Sequence, residues 1–210
     1  MKLFVSSIIL SLGAAITSAS PTPPPPTVDL SKVYIENIAY AGSGCPLGSI
    51  ALLKTEDWTL MTILFDQYLA SIGPGVPITE NRKNCNLNIL LHYPVGLQFT
   101  MYQTNYSGFA SLEDGVRATE QSDYWFAGFP LLKTTFKTTM VGPFSDAYSR
   151  SDQLSDTKLV LSPCGASTTL NIDTQVFLDN TANPTGSGVI DVEVIDHKAT
   201  TTFHLLWSPC

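Results

Sequence analysis

Charge is what this chain has least of. Only 14% of its 210 residues are charged, 11 Lys and Arg against 18 Asp and Glu, where an ordinary soluble domain carries roughly a quarter. The formal net charge of −7 leaves no basic footprint for a nucleic acid or an anionic membrane surface. Past residue 16 no apolar run is long enough to span a bilayer. There is no Gly-x-Ser-x-Gly, so the nucleophile elbow of many serine hydrolases is missing. There is no Cys-x-x-Cys, and the three histidines, His92, His197 and His204, lie far from ligand spacing, although His197 and His204 could approach across a last hairpin. Neither metal nor cofactor is expected.

What is present reads as an exported β-protein. Lys2, the mostly apolar Leu3 to Ile16 and the small residues Thr17 to Ser20 form a secretory signal, with the expected cut after Ala19. Residues 20–31 hold a stiff proline-rich spacer, and 32–210 suit one domain. In an oxidising compartment Cys45, Cys85, Cys164 and Cys210 read as two disulfides, with three possible connectivities. Cys45–Cys85 and Cys164–Cys210 are favoured, because Ser162-Pro163-Cys164 and Ser208-Pro209-Cys210 repeat one punctuation at two strand ends. A clip there would keep a terminal strand from fraying.

Strand signals recur along the whole domain. Lys32–Tyr40 and Ser49–Lys54 flank the turn Gly42-Ser43-Gly44-Cys45-Pro46. Asp57–Ile72 fits a helix or a two-sided strand, and the strand-rich company favours strand. Cys85–Tyr93 and Gly96–Tyr106 predict a hairpin, with Leu97, Phe99 and Met101 on one face. The sequon at Asn105 predicts a glycosylation site and marks the end of that strand as surface. Tyr124–Phe129, Thr134–Val141, Lys158–Ser162, Thr168–Leu178, Val189–Asp196 and Thr200–Trp207 follow as strands, and Gly142–Asp156 reads as the longest loop. The fold class is all-β: a two-sheet antiparallel sandwich, jelly-roll-like.

Several of these stretches together resemble a family of small secreted ascomycete proteins of unknown function. They are Gly42–Ser49, Phe65-Asp66-Gln67-Tyr68, Gly73-Pro74-Gly75, Arg82–Leu87, Tyr93–Phe99, Ser162–Gly165 and Leu206-Trp207. The resemblance implies a four-cysteine secreted β-sandwich with the favoured disulfide pairing and supports strand for Asp57–Ile72; it brings no catalytic residues. Copper polysaccharide monooxygenases are similar in size and fold class, but they need an N-terminal histidine where this chain has Ser20 or Pro21.

Three functions follow as expectations. The first is a non-catalytic, monomeric, effector-like protein that binds an extracellular protein, such as a host hydrolase or protease, through loops 73–84 and 142–156. Its binding residues would be Arg82 and Lys83, with Tyr124 and Trp125 if their face is open. The second is binding of a cell-wall glycan. The third is a glycoside hydrolase using Asp191 and Glu193, which would share one strand face near Asp173.

Overall fold

The computed structural model describes residues 29–191 and 198–210, so the signal peptide, most of the proline-rich spacer, Glu193 and His197 lie outside the described residues. Twelve strands are described. They are β1 (Tyr34–Ala41), β2 (Ile50–Lys54), β3 (Leu60–Phe65), β4 (Ala70–Ile72), β5 (Arg82–Tyr93) and β6 (Leu97–Leu112). After them come β7 (Arg117–Phe126), β8 (Thr134–Val141), β9 (Phe144–Gln153), β10 (Ala166–Asp179), β11 (Gly188–Ile190) and β12 (Ala199–Pro209). The first sheet runs β1-β5-β10-β7-β8. In the second, β2, β3, β12 and β6 are successive neighbours. β11 continues along the β12 side of β6 and carries β4, while β9 pairs along the opposite side of β6. Every pairing is antiparallel, as the predicted sandwich requires.

Alternation along the central strands fills the space between the sheets. In β10 the predicted face of Leu170, Ile172, Val176 and Leu178 points inward, against Leu87 and Ile89 of β5 and Phe99 of β6. Phe99 meets Tyr93 and Phe126 edge-on, with ring centroids 5.5 and 5.2 Å apart. Each such ring contributes about 1.5–3 kcal/mol through burial. The disulfides join Cys45 to Cys85 and Cys164 to Cys210. The second ties the end of β12 to the approach to β10, the clip that the repeated Ser-Pro-Cys suggests. Gly42 and Gly44 serve close approach rather than an unusual backbone: a Cβ at Gly42 would overlap the Asn84 carbonyl, and one at Gly44 the Tyr68 ring.

The structure corrects four readings. Asp57–Ile72 is extended, but as two strands, β3 and β4, with a bend between them. The 142–156 stretch is not a loop: it contains β9, which pairs with β6 over ten residues. Its periodicity is hidden because only Tyr148 on it is fully buried. Lys158–Ser162 joins no ladder among the described residues; it opens on the 3-10 turn Asp156–Lys158. Finally, Asn105 lies within β6, not at its end, since the strand runs on to Leu112. A bulge opposite His204 and Leu205 swaps the inward parity after Met101. Thr104 and Tyr106 therefore take over from Phe99 and Met101 as buried residues.

Candidate functional site

The outward face of the first sheet holds residues that a strand disfavours. Its three central strands contribute Asn84, Asn86 and Asn88 from β5, Asn171, Asp173 and Gln175 from β10, and Gln121, Asp123 and Trp125 from β7. Asn and Asp are depleted in strands, yet here they recur at every second position. The register lays them in cross-strand rows. Asn88, Asn171 and Trp125 form one row, Asn86, Asp173 and Asp123 the next, and Asn84, Gln175 and Gln121 the third. A fourth row sets Arg82 beside Phe177. A cleft of about 320 Å³ opens at that end, lined by Asn81, Arg82, Gln175, Phe177 and Leu178.

Some of these groups are committed to one another. Asn88 Nδ2 donates to Asn171 Oδ1 at 2.6 Å. Asp123 accepts from Thr135 Oγ1 at 2.5 Å and pairs with Lys133 at 2.8 Å. Others remain available: Asn86 and Gln175 make no side-chain hydrogen bond to another described residue, and Asp173 Oδ1 is buried without a partner among them. Burial first, and then the neighbouring Asp123, raise the Asp173 carboxyl above the usual range, against the pull of Arg82 and Lys133. Two carboxylates facing one another across adjacent strands are mutually destabilising. The sheet retains them nonetheless.

The predicted binding residues separate. Arg82 is exposed on the amide face, whereas Lys83, its neighbour in an extended strand, points the other way and pairs with Glu80 at 2.8 Å. Tyr124 is a correction: it is fully buried, and its Oη donates to the Met101 carbonyl at 2.9 Å. Alternation turns Tyr124 and Phe126 inward and leaves Trp125 half-buried on the outer face. Asn105 lies half-buried on the outer face of the second sheet, 3.1 Å from His204 Nε2. Asp191 is a second correction, because it is sealed in the core, where no sugar reaches it. Its companion there is Glu120, which sequence reading missed: a single Glu in an otherwise ordinary strand gives no sign that it faces inward. Phe177, Gln175 and Asn86 were missed too, although amides or carboxylates two residues apart on β5, β10 and β7 were a legible signal.

Comparison with known proteins places the chain. The model of a domain of unknown function (DUF4360) matches residues 31–210. An uncharacterized secreted protein of Arthroderma benhamiae is 42% identical over 182 residues, which is 87% of this chain and 74% of that protein. Like that relative, the chain is a secreted protein. No helix among the described residues is long and apolar enough to cross a membrane. A solved structure of TmCBM61 in complex with beta-1,4-galactotriose aligns over 83% of this chain and 89% of its own, at 8% identity and a TM-score of 0.26. A likeness of that degree carries no argument about function.

Proposed function

We propose that this chain, which belongs to the DUF4360 family, is a secreted glycan-binding protein that takes a polysaccharide chain on the outer face of its first sheet. The observation that carries the reading is the strip of carboxamides and carboxylates between Trp125 and Phe177. Trp125 stands opposite Asn171, and Phe177 lies six residues further along β10. That separation is about 20 Å at strand rise, room for several sugar rings in a row. Each free amide offers donors and an acceptor together, which matches neighbouring sugar hydroxyls. An aromatic at either end offers an apolar body to the flat of a ring. Side chains on central strands are held stiffly, so little ordering cost attaches to binding.

Sedimentation with insoluble chitin, β-glucan and cellulose tests the reading. The native protein is expected to pellet with at least one polymer, and Trp125→Ala with Phe177→Ala to stay in solution. Absence of pelleting with all of them, or pelleting that survives both substitutions, would overturn it.

One observation favours the protein-binding reading instead, in which the chain is effector-like and blocks an extracellular host hydrolase or protease. The β7–β8 connection projects Phe129, Leu131 and Leu132, with 48%, 96% and 55% of their surface exposed. A pull-down from host extracellular fluid that Leu131→Ser abolishes and Trp125→Ala leaves intact would support that alternative.

A further inference from the structure

We propose that Glu120, Tyr148 and Asp191 form a proton-operated latch that fastens edge strand β9 to the core in acid and loosens it as the surroundings turn alkaline. The three side chains come from β7, from β9 and from the residue after β11, and all are at least 95% buried. The Tyr148 hydroxyl bonds Asp191 Oδ1 and lies 3.1 Å from Glu120 Oε1. A phenol has one hydrogen to donate. When it goes to Asp191, the contact with Glu120 is a hydrogen bond only if that carboxyl is protonated and donates to the phenol oxygen. The other oxygens of the pair, Glu120 Oε2 and Asp191 Oδ2, have no partner among the described residues, so a second negative charge there is uncompensated.

The surrounding residues fit a built cluster. Gly108 on β6 leaves room for it: a Cβ there would lie 2.7 Å from Asp191 Oδ1 and 2.9 Å from Tyr148 Oη. Asp191 itself holds a left-handed backbone, φ 62°, which Asp adopts more readily than most residues. Among the described residues, the other titratable groups that feel the charge of the cluster are phenols, Tyr68 from the β3–β4 connection and Tyr106 from β6, both raised by it in addition to their burial. Nearby, Thr174 Oγ1 on β10 accepts from the Tyr68 hydroxyl and from Ser122 Oγ on β7. Burial raises both carboxyls, and Asp191 raises Glu120 further, so the pair holds on to a proton that an ordinary carboxyl would already have lost in mild acid.

The consequence falls on β9 because of how that strand is attached. Among the described residues it pairs with β6 alone, and Tyr148 is its single fully buried side chain. Once both carboxyls are ionised, one phenol faces two buried charges. The strand's anchor is then lost, while β5 and β10 at the centre of the other sheet keep their ladder. The surrounding pH thereby sets the order of one edge of the secreted chain.

Hydrogen exchange of the whole mature protein, corrected for intrinsic rates, tests the latch. Amides of residues 145–153 should lose at least tenfold in protection between about pH 5 and about pH 8, while those of β10 remain the better protected at both pH values. Glu120→Gln retains a donor for the phenol without a titratable charge, so it should keep the acid-level protection at both pH values. Unchanged β9 protection across the range, or a pH response that persists in Glu120→Gln, would overturn the proposal. If that variant does not fold, Tyr148→Phe serves in its place. It should leave β9 as open in acid as the native protein is in alkali, and native-like protection in acid would equally overturn the proposal.

Discussion

The buried carboxyl pair also predicts how the stability of the whole protein depends on pH, and the size can be worked from the structure. Burial pushes Asp191 up to about 7 from its ordinary 3.8, and Glu120 moves in the same direction. A carboxyl whose folded value is raised binds its proton more tightly folded than unfolded. Its stabilisation is complete below the unfolded value and is lost as pH rises through the folded one. One proton taken up on folding gives a slope of about 1.4 kcal/mol per pH unit between the two. From about pH 5 to about pH 7 the loss is therefore about 2–3 kcal/mol. For a domain of this size each kcal/mol shifts Tm by about 2–4 °C, so Tm should fall by about 5–10 °C across that interval. The exposed carboxyls of Asp57 and Glu80, lowered by Thr55 and Lys83 respectively, act with opposite sign and only in more acid solution. Scanning calorimetry of the mature protein in buffers of equal ionic strength measures the slope. Asp191→Asn combined with Glu120→Gln should flatten it. A native Tm that stays level or rises over the same interval would refute the reasoning.

Replacing Cys164 and Cys210 together by Ser opens a loop of 46 residues and should cost about 4 kcal/mol in the chain-entropy model, read as a shift of the urea midpoint. Phe126→Ala removes a fully buried ring that packs on Phe99 and should cost about 3–5 kcal/mol in the same assay. Arg82→Ala should change stability by less than about 0.5 kcal/mol, because the side chain is exposed and makes no ion pair with another described residue. A larger effect would mean that Arg82 does more than occupy the rim of the Phe177 cleft.

The fold was legible where one side of a strand is apolar. Leu170, Ile172, Val176 and Leu178 mark the inner face of β10, and the repeated Ser-Pro-Cys marks the clip at the end of β12. Edge strands were the weak point. With one buried side chain in ten residues, β9 looks like polar loop, since an edge strand needs little of the core. The candidate site was half legible for a related reason. Amides and carboxylates at every second position of β5, β10 and β7 are visible in the sequence, but only the register brings Asn86, Asp173 and Asp123 into one row. The Tyr124-Trp125-Phe126 cluster was visible as well; which of its rings faces out depends on the parity of β7, and a one-residue slip would reverse the answer. Neither Glu120 nor Asp191 gave a sign of facing inward, since an inward carboxyl contradicts the usual alternation of apolar and polar residues.

Where a glycan settles on the folded protein is the most direct test of the account. Backbone amide shifts of the labelled mature chain, followed by NMR while a soluble oligosaccharide of the polymer that pellets the protein is added, would map the contact. Shifts should be confined to the outer-face rows, at Asn86, Asn88, Gln121, Trp125, Asp173, Gln175 and Phe177, with Tyr148 and residues 129–132 unmoved. Shifts concentrated in residues 129–132 or 73–81, with the amide rows silent, would contradict it.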